Sequence, residues 1–180
     1  MSVLSAHAVA AELRRRLPGV GVKKLHKLLY YCQGHHLAAF GEPLFADTIS
    51  AWDLGPVVTT VWFQERELGP RDVIEELTEA HLNTVGYVLS RYGALTGADL
   101  ERLTHGEAPW QDANRRRRPG ASAKIPLEAI ESQFKRSDED ELTTLPDVEA
   151  VSAWLRDADP NRPARRDSVD DLRARLASRL

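Results

Sequence analysis

A single cysteine, Cys32, stands in the 180-residue chain, which rules out an intramolecular disulfide and any zinc site built on two thiolates. No apolar run approaches the roughly 20 residues that a membrane-spanning helix needs. The opening MSVLSAHAVAAELRRR lacks the basic, apolar and small-residue order of a secretory signal. Charge of one sign is lacking too. Net charge is −3 with a sequence pI near 6.1, so no global field favours a polyanion. Missing as well are the phosphate-binding and nucleophile signatures: no G-K-[ST] and no G-x-S-x-G occurs, and Gly19-Val-Gly21 has no third glycine. What remains, 42% hydrophobic and 28% charged residues, is an ordinary globular balance. A cytoplasmic protein without cofactor or membrane association is expected.

Helical periodicity dominates. Leu4, Val9, Leu13 and Leu17 mark a first helix over Ser5 to Arg16, ended by Pro18-Gly19. KLHKLLYYCQGHHLAAFG (24–41) carries Leu25, Leu28, Leu29, Cys32, His36 and Phe40 at spacings of three and four, an amphipathic helix with Gly41 placed to stop it in the left-handed C′ position. Further helices are predicted over Val57 to Leu68, with Pro56 in its first turn, Glu79 to Arg91, a short piece capped by the Thr96/Asp99 pair, another after LTHGEAPW, and Leu127 to Phe134. Thr48 to Trp52 and Ala123 to Pro126 read as short extended pieces that pair as a two-stranded element, since each would otherwise leave backbone groups unmatched. The predicted fold class is mainly α: a compact helical domain over 1–136 with a small two-stranded β element. A C-terminal extension follows over 137–180, an acidic linker (SDEDELTTLPD) leading to short helices with Val148, Val151, Trp154 and Leu155, then a leucine stripe over 169–180.

Three chemistries stand or fall on the residues that would bear them. Metal ligands on one helix sit at i and i+4, whereas His35 and His36 are adjacent and point about 100° apart. His26 has Tyr30 four residues on. His105-Gly-Glu107 resembles half of a zinc deaminase motif, without the P-C-x-x-C that must follow. Cys32 lies on the apolar stripe, where a thiol stays protonated and inert. The arginines at 115–118 beside Trp110 suit phosphate contact and stacking, yet the acidic total and the lack of a nucleic-acid-binding signature disfavour it. An enzyme using Cys32 or His105 thus lacks a constellation, and a nucleic-acid-binding regulator lacks a motif.

The remaining polar and aromatic groups of the second helix suit contact with a protein. Lys23, Lys27, Tyr31 and His35 are read as an outward face opposite the leucines, with Arg115 and Arg116 as further contact residues, because aromatics and arginines anchor interfaces. The alternative for the tyrosines, that they line the other side of a small core, stays open.

Three segments, KLHKLLYYCQGHHL (24–37), PLF with ISAWDLGPVV (43–45 and 49–58), and LTHGEAPW (103–110), resemble in order and spacing the Panacea domain family of SocA-like and GepA-like antitoxin domains. The likeness runs from about Val3 to Phe134 and leaves the tail outside. It implies a compact, mainly α-helical domain with a small β element and no catalysis. It also implies direct binding of a cognate toxin encoded next door or, alternatively, delivery of that toxin to a protease. Tyr30, Gln33, Trp52, Gly55, Pro56, His105, Pro109 and Trp110 are the matching motif residues, for which a structural role is expected. His26 departs from the pattern, standing where a glutamine is common.

Overall fold

A computed structural model describes residues 3–71, 73 and 75–144, with side chains described as far as 137. The helices expected within 145–180 lie outside the described residues. The first compact unit ends at Glu141.

Each helix starts and stops where backbone chemistry dictates. In α1 (Ala6–Arg16), the Ser5 hydroxyl accepts from the Ala8 N–H, satisfying one of the orphan donors of the first turn. The next helix, α2 (Val22–Phe40), ends at Gly41, whose φ of 70° is left-handed, the conformation a β-carbon penalises. Beyond the β-hairpin lie α3 (Thr59–Leu68) and α4 (Glu79–Tyr92), then α5 (Gly97–His105), opened by the expected Thr96/Asp99 capping box. Pro109 sits in the first turn of α6 (Ala108–Arg116), where a missing N–H costs little. Last comes α7 (Leu127–Thr144). It carries through the acidic run from Ser137 to Thr144, which was expected to be linker. No glycine or proline interrupts that run before Pro146, so nothing local stops the helix.

Mainly α is thus the fold, and its β element is larger than the predicted pair. β1 (Ile49–Trp52) pairs antiparallel with β3 (Ala123–Lys124), as expected, through Ser50 opposite Lys124 and Ala51 opposite Ala123. A third strand, β2 (Gly55–Val58), flanks β1 on its other side, giving the order β2-β1-β3. Helix was expected from Val57, with Pro56 in its first turn. Instead the chain reverses at Asp53-Leu54, and Gly55 takes φ 102° so that Pro56 can lie opposite Ala51. Pro56 tolerates this because β2 is an edge strand and needs no outward donor.

Burial corrects one further expectation. Every residue of α2 from Leu25 to Leu37 is buried, because α1, α4, α5 and β2 all pack against this helix. It is the central element of the unit, and from Leu25 to Leu37 it has no outward polar face. A helix enclosed on all sides must match each of its polar groups internally.

Candidate functional site: an aromatic cleft beside the buried helix

The three sequence motifs converge around α2. Tyr30 donates its hydroxyl proton to Glu107 Oε2 at 2.6 Å and Tyr31 donates to Oε1 at 2.9 Å, which ties the first motif to the third. Burial raises the Glu107 carboxyl above its ordinary value, against the lowering effect of the two tyrosines. Trp110 stacks on His105 with centroids 3.9 Å apart and donates Nε1–H to the Trp52 carbonyl at 3.0 Å, tying the third motif to the second. Gln33 Nε2 donates to the Phe45 carbonyl at 3.0 Å while its Oε1 accepts from the Leu44 and Phe45 amides, so it anchors the PLF segment. Pro109 is buried.

The residues predicted to bind a partner divide. Arg115 and Arg116 are exposed; Arg115 pairs with Asp112 and Arg116 donates to the Asp112 carbonyl at 3.1 Å. Lys23 is on the surface, paired with Glu101 at 2.6 Å. Tyr31 and His35 do not face outward as expected: Tyr31 stacks on Tyr92 with centroids 4.0 Å apart and His35 Nε2 lies 3.0 Å from the Tyr92 hydroxyl. Lys27 is only 1% exposed, and its ammonium donates to the Pro56 carbonyl at 3.1 Å. Their inward placement follows from α4, α5 and β2 covering the side of α2 that periodicity alone left open.

Lys27 is nevertheless beside an opening. A cleft of about 660 Å³ runs along the start of α2, the β1–β2 hairpin, α3 and the segment before β3, and its walls include Lys23, His26, Lys27, Trp52, Trp62, Phe63 and Arg117. Trp62 meets Trp52 edge-on at 4.9 Å and Phe63 at 5.1 Å. Phe63, Leu54 and Val22, all in the lining, are more than half exposed. Apolar walls with a few placed polar groups are what ligand-binding clefts present. Arg117, itself well covered, pairs with the exposed Asp53 and donates to the Ala121 carbonyl at 2.9 Å, holding the two rims together.

Sequence reasoning reached Lys23, Lys27 and Trp52 in this lining and missed His26, Trp62, Phe63 and Arg117 as contributors. The adjacent aromatics Trp62-Phe63 at the start of a short helix were the available signal. The arginine block was noticed, but which of its members turns inward is set by Asp53, distant in sequence.

Cys32 is fully buried, and burial alone pushes its thiol up, away from the thiolate a nucleophile requires. Among the described residues no group of three or more His, Cys, Asp or Glu side chains is arranged to hold a metal ion. None of the described helices is long and apolar enough to cross a membrane.

No curated protein and no solved structure matches the chain. The family described as antitoxin SocA-like, Panacea domain, matches residues 25–111, a span that takes in α2 from Leu25 onward, the β1–β2 hairpin and the Glu107–Trp110 corner, and so all three motifs apart from Lys24. Over residues 25–111 the chain is therefore similar to the SocA-like Panacea domain of an antitoxin family.

Proposed function

We propose that this protein is the antitoxin of a toxin–antitoxin pair and neutralises a cognate protein toxin, encoded by a neighbouring gene, by binding it directly. The match of residues 25–111 to the SocA-like antitoxin domain carries this reading. The cleft supports it, because exposed Phe63 and Leu54 beside basic residues give the anchors from which protein interfaces are built. A neutralising interface of ordinary size buries on the order of 1,200–2,000 Å², so the cleft would be its centre and Lys23, Arg115 and Arg116 candidates for its rim. Catalysis has no part in this reading.

The test is growth of cells expressing the adjacent open reading frame alone and together with this protein. Arrest by the neighbour and rescue by co-expression, with the two proteins co-purifying at a fixed ratio, is the expected result. A neighbour that does not arrest growth, or rescue without a complex, defeats the reading. Repeating the rescue in a host lacking its ATP-dependent proteases separates occlusion from delivery to a protease: occlusion survives there, whereas delivery does not.

A further inference from the structure

Lys27 is a buried cation with no counter-ion among the described residues. Its single hydrogen bond goes to the Pro56 carbonyl, although an ammonium has three protons to donate. Among the described residues no carboxylate pairs with it, and Glu101, whose charge it feels, is taken by Lys23. The hairpin is shaped to admit this side chain: a β-carbon on Gly55 would stand 2.6 Å from Lys27 Cε and 2.9 Å from Nζ. Burying a charge this way weakens the folded state unless something completes its coordination.

Two other residues of the lining, His26 and Trp52, carry further unmatched donors. His26 is 2% exposed, and its Nδ1 accepts from the Val58 N–H at 3.3 Å, so the ring proton sits on Nε2. Among the described residues that nitrogen has no partner, and neither has Trp52 Nε1. Lysine ammonium, imidazole N–H and indole N–H are all donors, and the acid in the lining, Asp53, is engaged by Arg117. A surplus of donors calls for a group that only accepts. The carboxylate is such a group, and the aromatic wall of Trp62 and Phe63 beside it suits an apolar neighbour more than the hydrated oxygens of a phosphate.

We propose that the cleft is a carboxylate-binding site. It takes an Asp or Glu side chain flanked by a bulky apolar residue in an exposed segment of the protein partner, with the carboxylate against Lys27 and His26 and the apolar residue against Trp62 and Phe63. The site rests on the antitoxin reading only for the identity of that partner.

The experiment titrates the full chain with indole-3-propionate and with its neutral amide, followed by amide-resolved NMR. The acid is expected to shift signals of cleft residues and to bind about tenfold or more tightly than the amide, the scale of a charge-assisted hydrogen bond. Lys27→Met keeps the length of the side chain and removes the charge. It should erase the preference for the acid while melting no lower than the parent, since an unpaired buried charge has gone. Phe63→Ser, at an exposed position, should weaken acid and amide alike. Equal binding of acid and amide, shifts confined to other surfaces, tighter binding of inorganic phosphate than of the acid, or a Lys27→Met protein that keeps the preference each overturns the site. The occupant is read separately. If the parent never rescues growth, the antitoxin reading fails and the probe result stands. If the parent rescues and Lys27→Met binds the toxin equally well, the proposed occupant is wrong and the antitoxin reading stands.

Discussion

Gln33 shows how a single residue can be at once unremarkable in sequence and decisive in the fold. It is fully buried in α2 and uses both ends of its amide, one as donor to Phe45 and one as acceptor from the Leu44 and Phe45 amides. Gln33→Leu would fill the same space but leave two N–H groups and a carbonyl buried without partners. Each such group costs about 1–3 kcal/mol, so a loss of at least ~2 kcal/mol in urea unfolding is expected. A loss below about 1 kcal/mol would show that water or a backbone shift replaces the amide. Tyr30, Tyr31 and His36 obey the same logic. The Thr84 hydroxyl gives its proton to the Ala80 carbonyl and so accepts from His36 Nδ1 at 2.9 Å. Sequence spacing exposed the polar residues of α2 but not their partners, because those sit near positions 45, 84, 92 and 107. Periodicity reports which residues share a face of one helix and says nothing of what lies opposite.

Among the elements, α2 and α7 illustrate where local signals end. The stop at Gly41 and the Thr96/Asp99 box were legible because each depends on neighbours within four residues. The pairing of β1 with β3 was legible because both segments are short, extended and bounded by breakers. β2 was not, since Val57 and Val58 continue smoothly into a helix and only the positive φ of Gly55 reveals the reversal. Enclosure of α2 was equally hidden. Its clearest consequence is at Gly34, where a β-carbon would stand 2.3 Å from the Phe134 ring of α7. That ring is locked edge-on among Tyr30, Tyr31 and His35, with centroids 4.7–5.8 Å away, so it cannot swing aside. Alanine would favour the helix by about 1 kcal/mol, yet overpacking a filled core costs typically 1–3 kcal/mol or more. Gly34→Ala should therefore destabilise by up to about 2 kcal/mol net, as overpacking outweighs propensity. In a Phe134→Leu background, where the ring is gone, the same change should cost little or turn favourable. Additive effects in this double-mutant cycle would show that Gly34 and Phe134 do not meet.

For the whole molecule, enclosing α2 buries histidines and lysine together, and that makes stability depend on pH in a defined direction. Desolvation, with the nearby charge of Lys27, holds His26 down at about 4, and desolvation, with His81, does the same for His36. In the unfolded chain both titrate near 6.5. Between pH 6.5 and 4 the unfolded state binds more protons, so stability must fall as the pH falls through this window. For His26 the full loss is on the order of 3 kcal/mol. Glu107 opposes it, since its raised carboxyl lets the folded state take up a proton first. Lys27 acts at the other end of the scale: desolvation lowers it to about 8 from an ordinary value near 10.4. The folded state therefore sheds that proton first, and stability should climb from pH 8 until the tyrosines of the unfolded chain begin to ionise near 10. Urea midpoints measured from pH 4.5 to 9.5 should trace a rise between 4.5 and 6.5, a plateau, and a second rise above 8. His26→Gln should flatten the first rise, with the glutamine carbonyl still able to accept from the Val58 amide, and Lys27→Met should remove the second while leaving the first in place. A profile flat from pH 4.5 to 6.5 in the parent would mean that His26 and His36 reach solvent, and with that the enclosure of α2 would be wrong.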